Sequence, residues 1–157
     1  MRDIPWKSEN LHKITEAEIA VLEKQFDFRM PDDLRQFYLK HNGGILPTGT
    51  VLNPEWCELT DFLSIQYPLM EQIPIMNTLL SWQKMDGFIP MYYIPFCNDA
   101  AGDSYYIRVD EAGYGKVYYI FSEFLDDFLD DPDGEWLIAD SFTEFLEKIR
   151  FPNENQD

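Results

Sequence analysis

The spacing of the hydrophobic residues changes at Met91 from a helical period to a period of two. From there, three runs rich in aromatic and β-branched residues follow one another: residues 91–97, 104–109 and 116–121. Alternation of this kind is typical of strands, whose successive side chains point to opposite faces. The turns between the runs are too short for a parallel crossover, which needs about a dozen residues or more. The sequence therefore predicts an antiparallel meander, with Pro95 placing its first strand at an edge or at a bulge.

The first of these turns, residues 98–103, has the composition of a structural turn. We expect the side chains of Asn98 and Asp99 to accept hydrogen bonds from nearby N–H groups, and Gly102 to adopt a positive φ.

Helical signals lie on both sides of the meander. Thr15 and Glu18 form a capping box in front of a helix predicted over residues 16–25. Pro31 opens a second predicted helix, which Asn42-Gly43-Gly44 ends. A strand over residues 60–66 and a third helix over 74–83 are predicted next. A second capping box, formed by Ser141 and Glu144, opens a closing helix that extends to about Arg150.

This order of elements predicts an α+β fold: two N-terminal helices, a central antiparallel sheet, and a C-terminal helix packed on one face. The chain has 157 residues, of which 45% are hydrophobic, and it lacks a Gly/Ser-rich linker or a repeat. We therefore expect a single domain over residues 1–157, with residues 151–157 as a frayed tail.

Charge restricts the kinds of partner. The chain has 29 Asp and Glu against 12 Lys and Arg, a formal net charge of −17. Such an excess of carboxylates repels phosphate backbones and anionic lipids, so we expect the protein to bind neither nucleic acid nor a membrane surface.

Seven of the carboxylates are concentrated in residues 123–135, which contain no Lys or Arg and which we call the acidic segment. They alternate in pairs with Phe124, Leu125, Phe128 and Leu129. One interpretation is a docking surface for a basic protein, and the other is a solvated face over an anchoring apolar stripe. Our candidate partner-binding residues are Glu123, Asp126, Asp127, Asp130, Asp131, Asp133 and Glu135.

Tyrosines occur as adjacent pairs in the three runs, at residues 92–93, 105–106 and 118–119. We expect one tyrosine of each pair to face the helices and the other to face outward. The outward row is either a binding platform or cross-strand packing on a wet face, and the sequence leaves both open.

The sequence lacks the usual signatures of an enzyme: a G-x-S-x-G elbow, a P-loop, or a G-x-G-x-x-G motif after a strand. His12 and His41 are the two histidines, and His41 lies near a helix C-terminus, where imidazolium favours the helix dipole. Residues 131–134 resemble the middle of an EF-hand loop, but its end positions would be Leu129 and Asp140 instead of Asp and Glu. We therefore expect no catalytic residue, cofactor or metal site. A hydrolase that uses carboxylates stays open and would need a concave acidic pocket.

The N-terminus has no apolar run of the kind found in a signal peptide, and two cysteines do not make a disulfide framework. The longest apolar-rich stretch, residues 87–98, is interrupted by two prolines and is too short to span a bilayer. We expect a cytoplasmic protein.

A series of short segments has an order typical of one superfamily: residues 14–19, 30–38, 42–44, 94–105, 117–118 and 138–146. This series resembles the SUKH superfamily, which includes fungal cell-wall assembly regulators and many bacterial immunity proteins. The resemblance covers about residues 14–150, without a match over 46–88 and without the acidic segment.

The resemblance implies a non-enzymatic binding domain. In bacteria, such proteins typically neutralise a polymorphic toxin, often a nuclease, that a neighbouring cell delivers. Because nucleases carry basic clefts, an acidic protein can compete for them with nucleic acid. We therefore expect an immunity protein whose partner is a cognate protein toxin with a basic active-site cleft. The alternative is a regulatory scaffold in signalling or cell-wall assembly.

Overall fold

The structure, a computed structural model, describes residues 2–69, 72 and 74–152. The described strands form one antiparallel sheet in sequence order: β1 (Ser8–Glu9), β2 (Gly44–Ile45), β3 (Leu59–Phe62), β4 (Tyr93–Asp99), β5 (Ser104–Arg108), β6 (Val117–Ile120) and β7 (Leu137–Ala139). The helices are α1 (Glu16–Phe26), α2 (Asp32–Lys40), α3 (Met76–Asp86), α4 (Leu125–Asp130) and α5 (Phe142–Lys148), and a 3₁₀ turn covers Ser122–Phe124. The α+β class is confirmed.

The predicted meander is confirmed as β4, β5 and β6. Tyr105 pairs with Tyr119, and Ile94 pairs with Ile107. The register shifts between Pro95 and Cys97, so the proline lies at a bulge in an inner strand, between β3 and β5. A bulge tolerates the missing N–H of proline, as an edge would.

The first turn of the meander has the predicted structural role. Asp99 Oδ1 accepts hydrogen bonds from the N–H groups of Ala101 and Asp103, both at 3.0 Å, and Gly102 has a φ of 87°. Asn98 differs from the prediction, because its side chain accepts from the Ser104 hydroxyl at 2.7 Å instead of from an N–H group.

A side-chain cap lies at each of the two predicted helix starts, but only the first is a reciprocal capping box, because Glu144 Oε2 accepts from Asp140 N at 2.9 Å instead of from Ser141 N. The Thr15 side chain accepts from Glu18 N, while Glu18 Oε1 accepts from Thr15 N at 3.1 Å. The Ser141 hydroxyl accepts from Glu144 N at 3.0 Å. Helix α5 ends two residues before the predicted Arg150, because the backbone of Arg150 forms a bridge with Val51. Helix α3 begins at Met76, two residues later than predicted, and extends to Asp86.

The strand predicted over residues 60–66 ends at Phe62 instead. Beyond it, the side chain of Asn42 provides the bonds that a neighbouring strand would have supplied. Asn42 Oδ1 accepts from Ile65 N at 3.0 Å, and its Nδ2 donates to Gln66 O at 2.7 Å. Gly43 beside it, with a φ of 75°, leaves no room for a Cβ, which would lie 2.5 Å from Phe62 O. The Asn-Gly-Gly motif thus fixes residues 63–66, whereas α2 ends before it, at Lys40, with His41 as an extended C-cap.

Helices cover both faces of the sheet. On one face, Phe37 of α2 and Phe142 and Phe145 of α5 pack with Phe62 and Phe96 of the sheet. On the other face, a smaller cluster contains Tyr93, Tyr118, Ile120 and Phe128.

This second cluster overturns the expectation of an outward-facing tyrosine row. Phe128 of α4 covers Tyr93 and Tyr118, which are 1% and 0% exposed. In the remaining pair, Tyr105 packs on Phe145 and Tyr106 is half-buried. The pairs at 105–106 and 118–119 therefore point to opposite faces, and helix α4 buries the second face. Tyr92 precedes β4, and its ring lies 4.9 Å from that of Tyr93, so this pair does not divide between the two faces.

Phe151, which the predicted tail included, is buried in the main core, while residues 153–157 lie outside the described part of the chain. Among the residues that the structure describes, no helix is long and apolar enough to cross a membrane.

Candidate partner-binding site

The acidic segment lies between β6 and β7 and includes helix α4. Phe128 anchors this helix, since its ring is fully buried and meets the rings of Tyr93 and Tyr118 edge-on, with centroids 5.2 Å and 6.0 Å away. Leu125 packs against the same cluster. Phe124 and Leu129 are only partly covered, at 45% and 42% exposed. Two residues of the predicted apolar stripe, Leu125 and Phe128, thus anchor the segment, while Phe124 and Leu129 lie at the surface.

All seven predicted partner-binding carboxylates are exposed: Glu123, Asp126, Asp127, Asp130, Asp131, Asp133 and Glu135. Within the described ranges, no Lys or Arg side chain lies within 4.0 Å of any of them. Their charges are therefore not neutralised locally, and they create a concentrated negative potential on this side of the molecule.

Asp133 differs from the other six because it also has a structural bond. Its Oδ1 accepts a hydrogen bond from the Tyr118 hydroxyl at 2.5 Å. Burial, together with this bond, raises the pKa of Tyr118 to about 12, so the hydroxyl stays a donor at neutral pH. The bond ties the loop after α4 to β6.

The acidic segment borders a cavity of about 390 Å³, which we call the aromatic cleft. Its walls include Trp56 from the loop after β2, Tyr119 and Phe121 from β6 and its end, and Phe124 and Trp136 from the acidic segment and its end. Four of these rings form a continuous series: the centroids are 6.2 Å apart from Tyr119 to Phe121, 5.3 Å to Phe124 and 6.3 Å to Trp136.

Carboxylates accompany these rings. Glu55 and Glu135 are exposed members of the lining, whereas Asp99 is 6% exposed. Asp99 Oδ2 accepts from the Tyr119 hydroxyl at 2.7 Å. Burial and this bond hold the pKa of Tyr119 well above its usual value, so the hydroxyl keeps its proton and the ring keeps its orientation.

A second cavity, of about 630 Å³, lies on the other side of Trp56 and Glu135 and is lined by Arg2, Lys148 and Arg150. Two of these cations cap backbone carbonyls. Arg2 donates to Leu146 O and Ile149 O at 2.7 Å and 2.8 Å, and Lys148 donates to Ile138 O at 2.5 Å. Arg2 thus satisfies free carbonyls at the end of α5, while Lys148 ties α5 to β7.

Both histidines contact aromatic rings. His12 stacks on Tyr67 with ring centroids 3.6 Å apart, and His41 Nδ1 lies 2.7 Å from Glu9 Oε2 beside Trp6 and Phe37. His41 therefore joins α2 to β1 through Glu9. No group of three or more His, Cys, Asp or Glu side chains in the described part of the chain is arranged to hold a metal ion.

Sequence reasoning found the acidic segment but missed the aromatic cleft. Trp56 lies in a loop without periodicity, and Trp136 follows the last carboxylate of the acidic segment. The available signal was compositional: two of the four tryptophans of the chain each stand directly after a glutamate.

Comparison with known proteins gives one family. The model of the SMI1/KNR4 family (SUKH-1) matches residues 13–148. A crystal structure of a protein from Pseudomonas syringae pv. tomato is 19% identical in sequence, with a TM-score of 0.45, and the match covers 75% of this chain and 73% of that chain. A search of the curated proteins gives no match.

Proposed function

Since this chain belongs to the SMI1/KNR4 family (SUKH-1), which its match over residues 13–148 shows, we propose that it is a non-enzymatic immunity protein. It binds a cognate polymorphic toxin, a nuclease with a basic active-site cleft, and thereby blocks it. The acidic segment is the surface that meets this cleft.

The single observation that carries the proposal is the set of seven exposed carboxylates, none of which forms an ion pair with a Lys or Arg in the described part of the chain. A basic nuclease cleft attracts this surface over a distance, as it attracts a phosphate backbone. Because Phe128 and the Tyr118–Asp133 bond hold the segment on the sheet, little ordering entropy is lost on binding.

The surroundings of the titratable groups support a non-enzymatic role. A carboxylate hydrolase needs a general acid and a general base that face a substrate. In the aromatic cleft, Asp99 already accepts three hydrogen bonds, and Glu55 and Glu135 are exposed. Both histidines are engaged with neighbours in the fold.

A regulatory scaffold is the second candidate. It is favoured by an apolar surface at the end of α3, separate from the acidic segment, where Trp82, Met85 and Phe88 are 51%, 81% and 69% exposed. A scaffold that joins two partners needs two binding surfaces, here the acidic segment and this apolar surface, whereas an immunity protein needs one.

The experiment uses a toxin domain encoded directly upstream of this gene. Co-expression with this chain should restore growth, and the purified proteins should bind. The variant in which Asp126, Asp127, Asp130 and Asp131 are replaced by Asn should associate more slowly at low salt. At 1 M salt its rate should approach that of the native chain, because the Debye length falls from about 10 Å at 0.1 M to about 3 Å.

A matched control separates the acidic segment from net charge. Replacing the exposed carboxylates Asp3, Asp86, Glu111 and Glu147 by their amides removes the same number of charges elsewhere. Equal slowing in both variants would refute docking through the acidic segment. An upstream toxin that does not bind the native chain would refute the immunity role.

A further inference from the structure

We propose that the aromatic cleft receives an arginine side chain of the partner protein. The inference rests on the proposed function in one respect: the partner is a basic protein. It adds a specific ligand and a specific site, next to the acidic segment and separate from its steering role.

The cleft combines two features that bind guanidinium. Trp56, Tyr119, Phe121, Phe124 and Trp136 present aromatic rings to it, and Glu55 and Glu135 add carboxylates. A guanidinium is attracted to a ring face within about 6 Å of the centroid, and it also pairs with carboxylates through its planar fork. Lysine has no plane to stack between the rings, so the set of side chains favours arginine.

The protein already uses this chemistry internally. The guanidinium carbon of Arg108 lies 5.0 Å and 5.5 Å from the ring centroids of Tyr92 and Tyr93. Asp110 completes the site, accepting from Nε at 2.7 Å and from Nη2 at 3.0 Å. The aromatic cleft offers the same groups, rings and carboxylates, and no Lys, Arg or His is among the described residues that line it.

Hydrogen bonds order the backbone turn that carries Trp56 and the ring of Tyr119. In the loop that carries Trp56, Trp56 N donates to Asn53 O and Glu55 N donates to Asn53 Oδ1, both at 2.9 Å. On the other wall, the bond to Asp99 fixes the ring of Tyr119. Trp56 and Phe124 are nonetheless 49% and 45% exposed, which leaves ring surface for a ligand to cover.

Charge complementarity selects a cation as the occupant. The exposed carboxylates of Glu55 and Glu135 lie at a cavity whose lining is mostly apolar, and the buried Asp99 beside them adds a third negative charge. In the neighbouring cavity, Arg2 donates to the carbonyl oxygens of Leu146 and Ile149, and Lys148 donates to that of Ile138.

The test is an NMR titration of the full chain with N-acetyl-arginine methylamide, with the citrulline analogue as a neutral probe of the same shape. The indole N–H signals of Trp56 and Trp136 should shift and saturate with the arginine probe, while that of Trp82 should not. The citrulline probe should bind at least about tenfold more weakly, because it keeps the shape of the arginine probe but carries no positive charge. Equal binding of both probes would overturn the proposal.

Matched variants locate the site. Trp56→Leu should weaken binding of the arginine probe by about tenfold, and Glu135→Gln should weaken it by several fold. Trp82→Leu removes an equally exposed tryptophan outside the cleft, and Glu111→Gln removes an exposed carboxylate elsewhere, so both should leave binding unchanged. Shifts confined to residues 123–131, with the indole signals unchanged, would place the arginine on the acidic segment and overturn the proposal.

The upstream toxin domain separates this inference from the proposed function. If the toxin binds the native chain, Trp56→Leu should speed its dissociation by about tenfold and leave association unchanged, since a buried anchor acts on the off-rate. Dissociation equal to that of Trp82→Leu would refute the arginine site and leave the immunity function intact. A toxin that does not bind would refute the immunity function, while the arginine titration still decides the site.

Discussion

Replacing Phe128 by alanine should release helix α4, and with it the acidic segment, from the sheet. The ring is fully buried and lies edge-on to Tyr93 and Tyr118, with centroids at 5.2 Å and 6.0 Å. Truncating a buried phenylalanine in this way costs about 3–5 kcal/mol. Each aromatic contact supplies about 0.5–1.5 kcal/mol of that loss, and the cavity left behind supplies much of the remainder.

The control for Phe128→Ala lies on the same helix. Leu129 is apolar but 42% exposed, so Leu129→Ala should cost less than about 1 kcal/mol, most of it from lost partial burial. Alanine has the highest helix propensity, so neither substitution weakens the helix through propensity.

Urea denaturation followed by tryptophan fluorescence measures the loss in unfolding free energy, and amide hydrogen exchange locates it. Phe128→Ala should remove the exchange protection of residues 125–131 while β4 and β5 keep theirs. An unfolding free energy within about 1 kcal/mol of that of Leu129→Ala would refute the assignment of Phe128 as the anchor.

Three further predictions concern the framework. Gly102→Val should lower the unfolding free energy measured in urea by about 1–2 kcal/mol, because a φ of 87° strains a β-branched residue even though nothing lies within 4 Å of its Cβ. Unchanged stability with lost partner binding would instead show that the turn is a contact surface. Gly43→Ala should cost clearly more in the same assay, because its Cβ would lie 2.5 Å from Phe62 O, and a cost equal to that of a Gly102→Ala control would contradict this steric argument. Burial raises the pKa of Asp61 above its ordinary 3.8, so the stability that this group contributes is present below that value and is lost as the pH rises through the folded-state pKa. Asp61→Asn should therefore gain melting temperature relative to the native chain as the pH increases above 3.8, and a constant difference across that range would exclude a perturbed carboxyl.

Local chemistry made most of the framework predictable from the sequence. A side-chain N-cap acts within one turn, so Thr15 and Ser141 marked the starts of α1 and α5 without any tertiary information. The alternation from Met91 and its short turns likewise required antiparallel neighbours. The bulge at Pro95 follows from the missing N–H of proline.

What could not be predicted depends on contacts between distant residues. The prediction that the strand continues beyond Phe62 was wrong because Asn42, some twenty residues earlier in sequence, supplies the competing hydrogen bonds. The prediction of an exposed tyrosine face was wrong because Phe128 covers Tyr93 and Tyr118. The acidic segment could be identified by composition. The aromatic cleft places Trp56 in the lining of the same cavity as Phe124 and Trp136, and no spacing in the sequence indicates this.

The bridge between Val51 and Arg150 sets an order of events during synthesis. Strands β4 to β6 pair only with neighbours in sequence, so they can associate soon after they leave the ribosome. Arg150 follows Val51 by roughly 5–20 s at ordinary elongation rates. Helix α5 is synthesised after Phe37, Phe62 and Phe96, so their face of the sheet is closed only when the rings of α5 pack on it. For those seconds, the nascent chain presents its main core to the chaperones and proteases of the cell.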